Sequence, residues 1–389
     1  MSIHRRRDLF LTVQEVQEWD LAALLSGRQE VAYRRCIKVA SPWFEGEQEI
    51  SGGELQALMS FPAEGEMLPS TAQVELDQRV LATLLERGLL VRARTDGPNS
   101  SRASAMWHPT AALAHRQLRW RGIDVEAVLR IIQSEGGAAD LLPRLGEPPE
   151  PALHRLDADS PPISLPRRPD AGGRTESARS TCRNFDSSRP LPLDLFAQTL
   201  HTVYGAQGQS VVSGVRVLKK NSPSAGGLHP VEAYLLVQHV EGIAPGLYHY
   251  RPDTHALEPL KALTPDEARE HASLFVARQP WFVDAHVQVI LAARFQRNFW
   301  KYRNHAKAYR AVILDAGHLS QMQYLTATEL GLGAFITAAI NEGDIEDAFG
   351  LDPMQEGVLA VTGFGWRGER MEVLEFDPLK QVWPDWSPE

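Results

Sequence analysis

The apolar positions of this chain change their spacing from one segment to the next, and each spacing predicts an element. Across residues 74–87, Leu76, Val80, Leu81, Leu84 and Leu85 recur at helical intervals, and Gly88 supplies the stop. Leu89, Leu90 and Val91 then read as a short strand, so helix, glycine and strand together outline a winged-helix-like unit. In residues 193–204, Phe196, Leu200 and Tyr204 share one helical face. Residues 231–240 (VEAYLLVQHV) and 284–295 (DAHVQVILAARF) predict strands, and residues 246–260 a hairpin turning at Pro252-Asp253. Thr264-Pro265-Asp266-Glu267 is a capping box with proline at the first helical position, so a helix starts there. Residues 305–330 carry Val312, Ala316, Leu319 and Leu330 in a long helical pattern, and a last strand, 358–362, precedes Gly363. Helices and strands are interleaved without an internal repeat, which makes the expected class α+β.

The pattern lapses across residues 146–178, a stretch rich in Pro, Gly, Ser and charge that reads as a linker or a surface arm. It sets the expected organisation: an N-terminal winged-helix-like domain, 1–145, suited to docking a peptide or a partner, and a second domain, 179–389. A formal net charge of −9 implies no broad basic surface, so no nucleic-acid partner is expected. No apolar run is long enough for a membrane helix, and the run after the basic start, Leu9 to Val13, is too short for a secretory segment. Cys36 and Cys182, the two cysteines, make neither a disulfide framework nor a zinc set. These features predict a cytoplasmic protein without a bound metal.

Three clusters carry candidate chemistry. Arg179 and Arg183, four residues apart with Ser180 and Thr181 between them, suit an anionic group, since each guanidinium offers a fork of donors and the hydroxyls add more. A solvated surface turn accounts for such a segment as well. Pro223-Ser224-Ala225-Gly226-Gly227 has small side chains that let backbone approach a flat ligand, and it also suits a tight loop feeding the next strand. It matches neither a Walker loop nor a GxGxxG loop. Lys301 beside Tyr302 offers two titratable groups for acid–base work, or a snorkelling lysine at a helix start.

Taken in order, RSTCRNF, PSAGGLHPVEAYLLV, GLYHY, WKY and AYRAVILDAGHLSQ followed by LGLG resemble the flavin nitroreductase superfamily. Within it they resemble the SagB-type dehydrogenases, the azoline-oxidising partners of peptide-modifying cyclodehydratases. The resemblance runs from Arg179 to Gly365. It implies a nitroreductase-like fold, a central and mainly antiparallel sheet flanked by helices, in a homodimer that binds FMN. It also implies that Arg179, Thr181 and Arg183 contact the FMN phosphate and ribityl chain, and that Pro223, Ser224, Ala225, Gly226 and Gly227 form the loop beneath the isoalloxazine. Ala338 and Gly363 fall where later FMN contacts are expected, and Lys301 and Tyr302 match the family's acid–base pair.

The implied reaction oxidises an azoline ring of a precursor peptide to an azole, with hydride passing to flavin N5 and a cyclodehydratase as a possible companion. Two rival readings are an NAD(P)H-dependent flavin reductase acting on nitro groups, quinones or dehydroamino acids, and a peptide-binding scaffold with a vestigial flavin site. A transcription regulator built on the N-terminal unit is disfavoured by the acidic balance. His229, His249 and His318 are expected to be structural, and the cations beside Cys182 are expected to favour its thiolate.

Overall fold

The computed structural model describes residues 3–19, 31–63, 77–92, 106–127, 130, 175–212, 215–303, 305 and 307–387. The expected linker at 146–178 therefore lies outside the described residues except for its last four. The N-terminal elements are β1 (Ile3–Arg5), β2 (Phe10–Trp19), β3 (Val31–Ala40), β4 (Glu47–Ile50), α1 (Gly52–Met59), α2 (Gln78–Glu86), β5 (Leu90–Arg92) and α3 (Pro109–Gln117). A short helix α4 (Thr175–Ala178) then leads to α5 (Leu193–Tyr204), β6 (Gly208–Val212), β7 (Val215–Lys219), β8 (Val231–Val237), β9 (Gly246–Arg251) and β10 (Ala256–Ala262). The remainder is α6 (Pro265–Phe275), β11 (Val287–Arg294), α7 (Phe295–Phe299), α8 (Lys307–Glu329), β12 (Gly333–Thr337), α9 (Glu342–Phe349) and β13 (Glu356–Gly365). Among the described residues, no helix is long and apolar enough to cross a membrane, and no group of three or more His, Cys, Asp or Glu could hold a metal ion.

The chain divides into two compact units. The first comprises Met1–Arg119 with Phe295–Arg310 and Pro353–Gln355, and the second comprises Trp120–Arg294, Ala311–Asp352 and Glu356–Glu389. In the first unit, helix α2 runs into Gly88, whose φ of 69° ends it, and β5 pairs antiparallel with β1. Val39, Ile50, Leu58, Leu84, Leu89 and Leu90 bury a core beneath these elements. Each such aliphatic side chain contributes about 1.5–3 kcal/mol of burial free energy. Val39 and Ile50 come to this core from the three-stranded antiparallel sheet β2-β3-β4, which the apolar pattern did not predict.

The second unit is built on a six-stranded antiparallel sheet in the order β10-β9-β8-β11-β13-β12. Strands β8 and β11 lie at its centre and are buried along their length, apart from Arg294, so both faces are covered. Helices α5 and α8 cover one face: Phe196 stacks on Phe364, and Gln323 donates to Thr362. Helix α6 covers the other, where Gln288 reaches the Ala272 carbonyl at 2.9 Å and Phe282 stacks on Phe335 with centroids 4.1 Å apart. The expected capping box is present, with Thr264 and Glu267 bonding each other's backbone N–H groups. The expected helices at 193–204 and 305–330 correspond to α5 and α8, and the expected hairpin to β9–β10.

Candidate functional site

The segment from Ser180 to Asp186 joins the sheet as an irregular extra edge. Thr181 bridges Ala334 in parallel, and Cys182 N donates to the Ala334 carbonyl at 2.8 Å. Gly333 allows this approach, because a Cβ there would sit 2.5 Å from Cys182 Sγ. Helix α8 engages the same segment through Tyr324. Its hydroxyl is 3.0 Å from Thr181 Oγ1, and the Arg179 guanidinium lies 5.3 Å from its ring centroid. Among the described residues, neither Arg179 nor Arg183 pairs with a carboxylate, although both are half-buried. Two cationic forks are thus held four residues apart with their charge unspent. The expected thiolate does not follow: burial pushes the Cys182 thiol up, outweighing the opposite pull of Arg367 and Arg183.

The small-residue loop is held by an acid that local sequence does not point to. Ser224 Oγ donates to Asp315 Oδ2 at 2.5 Å, and Ala225 N donates to Asp315 Oδ1 at 3.2 Å. Ser224 Oγ in turn accepts the His229 N–H at 2.9 Å, which closes the loop on itself. Gly226 and Gly227 take φ values of 64° and 68°, a conformation other residues rarely adopt, and the direction of a Gly227 Cβ is open space. Burial pushes the Asp315 carboxyl up, while its bonds to Ser224 and Ala225 pull the other way. Just upstream, the buried Ser222 hydroxyl has no hydrogen-bond partner among the described residues.

Lys301 and Tyr302 belong to the first unit. Both backbone N–H groups bond the Asn298 carbonyl at 3.2 Å, in a turn that follows α7. Lys301 is exposed, Tyr302 is half-buried, and Lys301 Nζ lies 5.5 Å from the Tyr302 ring centroid. An aromatic cluster anchors the segment behind them. Trp107 packs on Phe295 (4.6 Å), Phe299 (4.8 Å) and Tyr309 (5.6 Å) and donates to the Met354 carbonyl. His115 bonds Tyr309 OH at 3.0 Å and the Pro353 carbonyl at 2.9 Å. Burial lowers the His115 pKa to about 4.

Of the later candidates, Ala338 is exposed in a bend after β12. Gly363 is buried in β13, and a Cβ there would fall 2.3 Å from Phe335, so packing alone demands glycine at that position. His249 lies between Glu258 (2.8 Å) and Glu232 (3.5 Å) on the sheet. Sequence reasoning missed Asp315, Tyr324, Arg367 and Glu375, which hold the two cofactor-binding candidates in place from distant parts of the chain.

The nitroreductase family model matches residues 177–366, which contain the arginine segment, the small-residue loop and the Lys–Tyr pair. MJ1384 of Methanocaldococcus jannaschii, named as a nitroreductase, is 30% identical over 169 residues, or 43% of this chain and 79% of that protein. The chain belongs to the nitroreductase family. It is also 32% identical over 182 residues to the trifolitoxin-processing protein TfxB of Rhizobium leguminosarum bv. trifolii, a match covering 44% of this chain and 47% of TfxB. Among solved structures, the E. coli microcin synthetase McbBCD complex with truncated pro-MccB17 bound has a chain of similar fold. Its TM-score is 0.52 at 19% identity, covering 71% of this chain and all of that one.

Proposed function

We propose that the protein is an FMN-dependent dehydrogenase of ribosomal peptide maturation, oxidising an azoline ring to an azole. The observation that carries this reading is the 32% identity to a toxin-processing protein, about half of which this chain spans. The residues present fit a flavin mononucleotide. Among the described residues, Arg179 and Arg183 lack carboxylate partners, Ser222 Oγ is orphaned, and the Cβ direction at Gly227 is open space. Arg179, Thr181 and Arg183 would hold the phosphate and ribityl chain, residues 223–227 would support the ring system, and Ala338 and Gly363 would add later contacts.

The chemistry supplied by FMN when bound is acceptance of a hydride from the ring carbon next to the α-carbon. The chain must remove the α-proton. Lys301 Nζ is the base assigned to that step, and Tyr302 OH orients the amine or bonds the substrate. A lysine must be neutral to act so, and its exposure in the isolated chain means that desolvation has to come from bound substrate or a second copy. Helix α8 presents Ile313 and Leu314, 46% and 57% exposed, one turn from Gly317, which supports a homodimer packed on that face. Exposed Leu11, Val13 and Tyr33 on β2 and β3, with β2 at a sheet edge, support docking of a precursor peptide or of a cyclodehydratase partner by the N-terminal unit.

The test is to incubate purified, FMN-loaded protein with a thiazoline-bearing peptide and follow loss of one H2 per ring by mass spectrometry. Lys301→Ala should keep the yellow colour and lose about 10²–10⁴-fold in turnover. Wild-type protein that leaves the ring untouched but bleaches rapidly with NADPH would replace this reading with the flavin reductase.

A further inference from the structure

Glu375 lies beyond the family-matched residues, yet its side chain is fully buried and its carboxylate takes five donors. Oε1 accepts Arg183 N at 2.6 Å, Asn184 N at 3.1 Å and Asn184 Nδ2 at 2.8 Å. Oε2 accepts Trp383 Nε1 at 2.9 Å and pairs with Arg367, whose other nitrogen reaches Ser180 Oγ at 3.2 Å. Asn184 returns the grip: its Oδ1 accepts Glu372 N and Val373 N, both at 2.8 Å. Gly368 N bonds the Asn184 carbonyl, and Asp186 N bonds the Trp366 carbonyl. The strip from Trp366 to Trp383 therefore clasps the arginine segment on one flank while Ala334 holds the other.

We infer that Glu375 is a positioning residue for the phosphate grip, fixing the backbone at Arg183 and Asn184 so that Arg179 and Arg183 face the same anion. This rests on the FMN reading above. A carboxylate beside two arginines would by charge alone weaken anion binding. Here the Arg367 ion pair offsets that charge, and the remaining acceptor capacity is taken up by N–H donors of the segment itself. What Glu375 contributes is geometry. The pattern of donors is specific to a carboxylate, because an amide in its place would set an NH2 group against Trp383 and Arg367 or against three backbone and side-chain N–H groups.

The experiment is a pair of fluorescence-quenching titrations of flavin-free protein, one with FMN and one with riboflavin, which lacks the phosphate. Glu375→Gln should weaken FMN binding about tenfold or more and leave riboflavin binding within about twofold. Combined with Arg179→Ala, its effect should be well below the product of the two single effects, because both act on one grip. If Glu375→Gln does not fold, Trp383→Phe, which removes one donor and spares the ion pair, should show the same loss of selectivity in weaker form. Equal weakening for both flavins, or none for FMN, overturns the inference. A wild-type protein that binds riboflavin and FMN equally well overturns the phosphate assignment beneath it, and one that binds neither overturns the FMN reading as a whole.

Discussion

Asp315 and Ser224 meet across ninety-one positions of sequence, and their contact decides how firmly the small-residue loop is set. The two bonds to the carboxylate are charge-assisted, a class contributing about 1.5–3 kcal/mol each. Asp315→Ala should leave the fold standing and weaken flavin binding about 10- to 100-fold. An unchanged affinity in a fluorescence titration would mean that the loop holds its shape unaided. The loop itself was legible, because paired glycines and small side chains announce a backbone that must bend. Its anchor was not. Asp315 falls on the stripe of Val312, Ala316 and Leu319 in α8, so its burial to 4% exposure follows the helical spacing, but nothing local names Ser224 and Ala225 as its partners. The same holds for Tyr324, which in the pattern is one more apolar residue of α8 and in the structure ties down Thr181.

At the level of elements, the central strands and long helices of the family-matched half were legible, while its β6–β7 hairpin, β12 and α9 and much of the N-terminal unit were not. Strands β8 and β11 are long apolar runs bounded by turn signals, and α5 and α8 bury a regular stripe. Strand β2, FLTVQEVQEW, carries Leu11 and Val13 in the open. A sheet wet at these positions leaves no clean alternation to read. The aromatic cluster behind α7 makes a pH prediction. Unfolded, His115 takes up a proton near its ordinary 6.5; folded, it does so only near about 4. Between those values the unfolded chain binds more protons, so stability falls as pH drops from about 6.5 towards 4, by an amount on the order of 3 kcal/mol. Melting curves across this window should slope less in His115→Gln than in the wild type. Parallel slopes would remove His115 as the titrating group.

For the whole molecule, the segment carrying Lys301 and Tyr302 packs with the N-terminal unit, and the flavin-binding candidates lie in the other. A chain trimmed to residues 175–387 would retain the family match and the Glu375 clasp and lose Trp107 and His115, the supports behind Tyr309. That fragment should fall far short of full-length turnover, and a peptide assay of the two side by side settles it. The exposed Ile313 and Leu314 predict a second whole-molecule result. On the proposed homodimer, Leu314→Glu should shift the mass towards a monomer in light scattering, and a mass unchanged from wild type would move the interface elsewhere.

Arg183 waits for an acid that the ribosome adds 192 residues later. Until Glu375 and Trp383 have been translated, the clasp around the arginine segment has only one jaw, so the grip cannot be assembled before they emerge. A premature stop between Gly365 and Glu375 would release a product that still carries the complete sheet but cannot close its fist.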